Sequence, residues 1–190
     1  MSKIAIILGS TRPNRNGPAV AQWVLEQATA RETDDYEIID LADIDLPFLD
    51  EPVSPMVGNY AHDHTRAWGA KIAPFDGFVF VVPEYNHSFP AVLKNALDFL
   101  FAEWNDKAAA IVSYGGTAGG ARAAEQLRLV LAELRIASVQ SSVALSFRTD
   151  FENASVFTPH SSQEKALSMT LDQLESWSRA FQTVRPGVAV

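Results

Sequence analysis

Ser10, Thr11, Arg12 and Arg15 fall within six residues, in a stretch from Gly9 to Ala19 that contains no acid. Hydroxyls and guanidinium forks are strong donors to phosphate oxygens, the forks in bidentate fashion. The apolar run Ile4–Leu8 stops just before them, and an amphipathic helical pattern starts just after, at Pro18. Pro18 suits the first helical position, where no backbone N–H is missed. The backbone from Asn16 through Gly17, Pro18 and Ala19 to Val20 thus opens a helix at the same spot, and helix N-termini attract anions. These residue types describe a receptor for a phosphate monoester. An ordinary strand-to-helix turn with exposed arginines is the plainer reading of the same residues. Neither standard nucleotide loop is present: G-x-G-x-x-G fails at Thr11, and G-x-x-x-x-G-K-S/T does not occur. Asp40 can imitate the ribose-binding acid of a dinucleotide domain, but without those glycines it reads as a strand-end cap or turn residue.

Two further loops carry a second kind of chemistry. In Pro83-Glu84-Tyr85-Asn86-His87-Ser88, Tyr85 can cover a planar ring and Asn86 can hydrogen-bond its heteroatoms; a proline-initiated turn is the alternative. Ser113-Tyr114-Gly115-Gly116 opens a turn with four glycines in six residues, Gly115 to Gly120. Glycines let a backbone approach a flat ligand and leave N–H groups free to donate, although a tight, mobile turn needs them too. A phosphate at one loop and a ring at two others describe a mononucleotide with a polycyclic head. FMN fits better than ATP, because no Mg²⁺-binding P-loop residues are present.

The elements that position these loops alternate strand with helix. Lys3–Gly9, Tyr36–Leu41, Gly77–Pro83 and Lys107–Ser113 read as strands, with a fifth within Ser138–Phe147. Helices are expected after each: from Pro18, from about Tyr60 to Ala73, from near Pro90 to Trp104, through Leu127–Leu134, and after a capping box at Ser161 and Glu164. The last sets Leu167, Leu171, Leu174, Trp177 and Phe181 on one apolar face. This pattern predicts an α/β, flavodoxin-like, doubly wound sheet of five parallel strands in order 2-1-3-4-5, helices on both faces, in a single domain over residues 1–190. Ligands of such sheets bind outside the carboxyl ends of the strands at the switch point between strands one and three. The three unusual loops follow strands one, three and four, so they meet there.

Composition narrows the partners. The chain has 190 residues, 47% of them hydrophobic, and a formal charge of −8, which argues against nucleic acid or an anionic membrane as partner. It has no cysteine, so disulfides and thiolate chemistry are excluded. The five apolar residues at the N-terminus are too short for a signal or a membrane span, and a cytoplasmic location is expected. His62 and His64 flank Asp63, but two residues apart on a helix they point roughly 200° apart, so no metal site is expected.

Gly9-Ser10-Thr11-Arg12, the run from Pro83-Glu84-Tyr85-Asn86 through Lys94-Asn95-Ala96-Leu97-Asp98, and Ser113-Tyr114-Gly115-Gly116 resemble the NADPH-dependent FMN reductase family of flavin, quinone and azo-dye reductases. The likeness runs from Lys3 to Leu134. It implies that Ser10, Arg12 and the Asn16–Val20 backbone hold the FMN phosphate, that Pro83 to Asn86 contact the ribityl chain and ring, and that Ser113 to Gly116 line the isoalloxazine. Many members carry Ser or Thr where Arg15 stands, which leaves the direction of Arg15 open. The implied reaction is ping-pong: NADPH or NADH passes a hydride to flavin N5, and a small acceptor (flavin, quinone, azo compound or metal ion) then takes two electrons. Backbone N–H groups of Gly115 and Gly116, helped by the start of the fourth helix, are expected to stabilise charge on the reduced flavin. No side chain need act as acid or base, so no catalytic residue is assigned. A flavodoxin-like electron carrier or FMN-binding sensor is the alternative.

Phe89, Val92, Leu93, Leu97, Phe99, Leu100, Phe101 and Trp104 cover roughly 200° of the third helix as read from sequence, twice what a sheet-packed helix needs. The surplus predicts a homodimer or a dimer of dimers.

Overall fold

A computed structural model describes residues 1–185. Strands β1 (Lys3–Leu8), β2 (Asp35–Asp40), β3 (Gly77–Pro83) and β4 (Lys107–Gly115) pair in parallel in the order β2-β1-β3-β4. The fifth lane is carried by two short strands, β5 (Ile136–Ser138) and β6 (Val143–Ser146), both parallel to β4. The sheet is thus the flavodoxin-like one expected, with a break in its last lane. Val139 still donates its N–H to the Ala109 carbonyl of β4, but the chain then leaves the ladder as other partners take it: Arg128 donates to the Val139 carbonyl, the Gln173 side chain accepts from the Ser141 N–H, and Thr170 reaches the Ser141 hydroxyl.

The central strand β3 is apolar throughout, as a sheet covered on both faces requires. All seven residues of β3 are buried, with Phe78, Phe80 and Val82 on one face and Val79 and Val81 on the other. The first face packs α2 (Asp63–Ile72), α3 (Ala91–Asp98) and α4 (Ala121–Glu133). The second packs α1 (Gly17–Thr29) and α5 (Ser161–Gln182).

Four helix boundaries differ from the sequence reading. Helix α1 starts at Gly17 with Asn16 as its cap, so Pro18 holds the second position. Helix α2 starts at Asp63; His62 is its extended cap residue. The His62 and His64 rings therefore do not diverge: they stack 5.1 Å apart against Asp50. No group of three or more His, Cys, Asp or Glu side chains is placed to hold a metal ion among the described residues. Helix α5 is capped by His160, whose Nδ1 accepts the Ser162 N–H, so Ser161 lies inside the helix and the expected capping box is displaced. On that helix Trp177 stays 41% exposed.

The largest difference is α3, which ends at Asp98. Phe99, Leu100 and Trp104 lie beyond it in turns and are buried in the protein's own core. Trp104 donates its indole N–H to the Leu97 carbonyl, which helps close the helix end, and its ring meets Trp68 and Phe78 edge-on. The 200° apolar arc is therefore not a helix face. Between the sheet's last lane and α5, β7 (Phe151–Glu152) and β8 (Val156–Phe157) make an antiparallel hairpin. It carries Phe151 and Phe157 into an aromatic cluster with Trp23, Tyr114 and Phe147.

Candidate active site

The loops after β1, β3 and β4 converge at the carboxyl ends of the strands, as the sheet order requires. Gly9 continues the β1–β3 ladder through a 2.9 Å bond from its N–H to the Val81 carbonyl. A Cβ at Gly9 would stand 3.0 Å from Leu93 and 3.2 Å from that carbonyl, so the chain leaves β1 tightly beneath α3. Ser10 follows, buried, with its hydroxyl 2.7 Å from the Tyr85 hydroxyl. This bond joins the first loop to the second. Arg12 is exposed and lies over the Tyr85 ring, 5.9 Å from its centroid; Thr11 is exposed beside it.

Arg15 turns neither to solvent nor straight into the opening. It pairs with Asp40 at the end of β2, and Asp40 also accepts the Ala42 N–H, the turn role expected of it. The Nε of Arg15 is buried and has no partner among the described residues. Asn16 sends its side-chain amide to the Ala154 carbonyl in the β7–β8 hairpin. The Tyr114 hydroxyl lies against Gly17, so this aromatic from the third loop reaches the start of α1. A Cβ at Gly17 would stand 3.0 Å from that hydroxyl. Burial and the nearby Tyr85 push the Tyr114 phenol up, which keeps it a neutral donor. Pro18 and Ala19 lie exposed at the first turn of α1, and Val20 is buried in the core beneath.

The second loop is a tight hairpin. Tyr85 and Ser88 exchange both backbone hydrogen bonds, at 2.8 and 3.1 Å, with Asn86 and His87 at φ of 51° and 68°. Positive φ at both central residues is the type I′ pattern, which Asn tolerates better than most residues. Both residues are exposed at the tip, and Gln126 of α4 holds the His87 carbonyl. Pro83 ends β3 opposite Tyr114, and Glu84 donates its N–H to the Tyr114 carbonyl. The Glu84 carboxylate crosses to α4, where it accepts the Arg122 N–H at 3.1 Å and pairs with the Arg122 guanidinium. Burial opposes its charge, but these bonds outweigh burial and hold the carboxyl below its ordinary range. Lys94, the other basic residue near in sequence, pairs with Asp98 instead.

In the third loop the Ser113 hydroxyl donates to the Gly119 and Val143 carbonyls and braces the glycine turn. Gly120, at φ 83°, lies so close to Tyr114 that a Cβ would meet its backbone N at 2.8 Å. Gly116 is exposed, with open space where a Cβ would stand. Gly115 accepts the Phe147 N–H, which sets the Phe147 ring against Tyr114.

Arg12, Arg15, Asn16, Pro83, Glu84, Tyr85, Tyr114 and Phe147 enclose a cleft of about 180 Å³. Phe147 is the wall that sequence reasoning missed; the aromatic just past the last lane of the sheet was the available signal. At the first loop Arg15 pairs with Asp40, Arg12 has no ion-pair partner among the described residues, and one buried nitrogen of Arg15 lacks an acceptor. The donor set fits a phosphate monoester, and the bare backbone at Gly116 leaves room for a flat ring.

The family described as NADPH-dependent FMN reductase matches residues 2–150. The chain belongs to that family. It is an oxidoreductase of FMN and NAD(P)H. A Schizosaccharomyces pombe protein named NAD(P)H-dependent FMN reductase is 43% identical over 183 residues, covering 95% of this chain and 91% of that protein. A Solanum tuberosum NAD(P)H:quinone oxidoreductase is 35% identical over 132 residues, covering 67% of this chain and 66% of that protein. The structure of FerB, a flavoenzyme NAD(P)H:(acceptor) oxidoreductase from Paracoccus denitrificans, superimposes with a TM-score of 0.73 at 20% identity, covering 95% and 99% of the two chains. At that identity the likeness concerns the fold alone. No helix among the described residues of this reductase is long and apolar enough to cross a membrane.

Proposed function

We propose that this reductase binds FMN in the cleft between the three loops and transfers two electrons from NAD(P)H to a small acceptor in a ping-pong cycle. The observation that carries the reading is the buried, unpartnered Nε of Arg15 beside an exposed Arg12, at the start of α1. When bound, FMN supplies the redox chemistry, taking a hydride from NAD(P)H and releasing two electrons to a flavin, quinone, azo compound or metal ion.

The chain's own residues bind, orient and exclude water. Ser10, Arg12, Arg15 and the α1 backbone from Asn16 to Val20 take the phosphate, with Thr11 at the rim. Tyr85, held by Ser10, orders the second loop, so that Pro83 to Asn86 border the ribityl chain and ring. Tyr114 and Phe147 wall off one side from water, and Gly115 and Gly116 offer backbone to the ring. Ser113 acts by bracing the turn that presents them.

The same reading takes residues 1–190 as one cytoplasmic domain that assembles as a homodimer or a dimer of dimers. Support for assembly comes from the groove between α3 and α4, where Phe89 and Val130 are half-buried and Leu129 is 74% exposed beside the second loop. The deciding experiment is anaerobic mixing of the FMN-loaded protein with NADPH. Prompt bleaching of the flavin band is expected. A protein that takes up no FMN refutes the site, and one that stays oxidised is an electron carrier instead.

A further inference from the structure

Among the described residues, Glu84 is the only acid lining the cleft, and its side chain is just 6% exposed. Its carboxylate is not idle there. It accepts the N–H of Arg122 in the first turn of α4, whose own cap, Gly120, has no side chain to do so. A helix start carries roughly half a positive charge, and sequence reasoning assigned that charge to the flavin. The full negative charge of Glu84 stands on it instead. The counter-charge, Arg122, pairs with it from the solvent side: its side chain is 48% exposed and does not line the cleft, so from there it offsets the carboxylate only in part. Seen from the cleft, the nearer charge at the end of α4 is therefore the Glu84 carboxylate.

Resting on the proposed FMN site, we infer that Glu84 sets the driving force of this reductase: its carboxylate opposes the negative charge that reduction places on the bound cofactor, and so holds the flavin potential low. A low potential makes the reduced enzyme a stronger donor to its acceptor, at some cost in the driving force from NAD(P)H. Glu84 acts here through the field it imposes, with no proton transfer. The low-lying carboxyl, which stays ionised at neutral pH, is consistent with that role.

The test is the midpoint potential of FMN on the wild type, Glu84→Gln and Arg122→Gln, measured by anaerobic titration against a reference dye. Gln keeps an acceptor for the Arg122 N–H while removing the charge. Glu84→Gln is expected to favour the reduced form at least tenfold, a rise of about 30 mV for a two-electron couple. Arg122→Gln leaves the carboxylate uncompensated and is expected to lower the potential. Opposite signs separate a field effect from loosened structure, which moves both variants the same way. Amide exchange at Arg122 in the cofactor-free protein gives an independent reading: protected in Glu84→Gln, opened in Glu84→Ala. An unchanged potential in Glu84→Gln, or shifts of the same sign in both variants, overturns the inference. Failure of the wild type to bind FMN overturns the underlying site instead, and so is distinguishable.

Discussion

Replacing Arg15 separates binding from folding at this site. Its side chain is 14% exposed and that of Asp40 22%, so the pair is half-shielded from water. In Arg15→Gln, the Asp40 carboxylate loses its ion pair but keeps the Ala42 N–H and some water. The stability loss is therefore about 1–2 kcal/mol, below the ~3–5 kcal/mol for breaking a fully buried pair. The phosphate loses one charge-assisted hydrogen bond, about 1.5–3 kcal/mol, or roughly 10- to 150-fold in FMN affinity. Riboflavin has the same ring and ribityl chain without the phosphate, so its affinity should not move. The double variant Arg15→Gln/Asp40→Asn removes the stranded charge; it should recover most of the stability and none of the FMN affinity. Fluorescence titration with FMN and riboflavin, alongside thermal unfolding, reads all three quantities. An FMN affinity unchanged in Arg15→Gln, or an equal loss for riboflavin, refutes the assignment of the unpartnered Nε to phosphate.

Phe147→Ala should weaken FMN and riboflavin alike, by about tenfold if the ring contributes ~1–1.5 kcal/mol of aromatic contact; the same titrations test it. Gly120→Ala forces a Cβ onto the Tyr114 backbone at 2.8 Å and a side chain into φ 83°, so a loss of at least about 2 kcal/mol and a Tm lower by roughly 4–8 °C are expected by calorimetry. Lys107 is 3% exposed, donates to the Ile72 and Ala73 carbonyls at the end of α2, and has its ammonium lowered to about 7, first by burial and then by Arg185. The unfolded chain holds that proton up to about pH 10.4, so stability should rise between about pH 7 and 10 in the wild type. Lys107→Met should flatten this rise in denaturant titrations; a Met variant with the wild-type slope would show that Lys107 is not its source.

Much of the site was readable because the chemistry and the topology agree locally. A run such as Gly77–Pro83 with seven buried residues admits only a central strand, and strands alternating with helices force parallel pairing and one loop-bearing edge. The loops after β1, β3 and β4 then had to meet. What local pattern could not convey was the direction of each polar side chain. Arg15 was open in sequence because its partner, Asp40, lies 25 residues away at the end of a neighbouring strand. Glu84 likewise finds its partner, Arg122, 38 residues away at the start of α4. The third helix was read too long because Phe99, Leu100 and Trp104 keep helical spacing while their backbone turns away, and hydrophobic period alone cannot tell a helix face from turns tucked into the core.

By itself the sequence determined the parallel α/β frame, the convergence of three loops and the donor types that suit a phosphate and a flat ring. These follow from the order of apolar runs and from residue chemistry, which need no long-range information. Tertiary structure alone decided the Arg15–Asp40 pair, the Ser10–Tyr85 bond, the reach of Tyr114 to α1, and the wall made by Phe147. Each joins residues far apart in the chain, so each exists only once the strands have set their register and brought the loop ends within hydrogen-bonding distance.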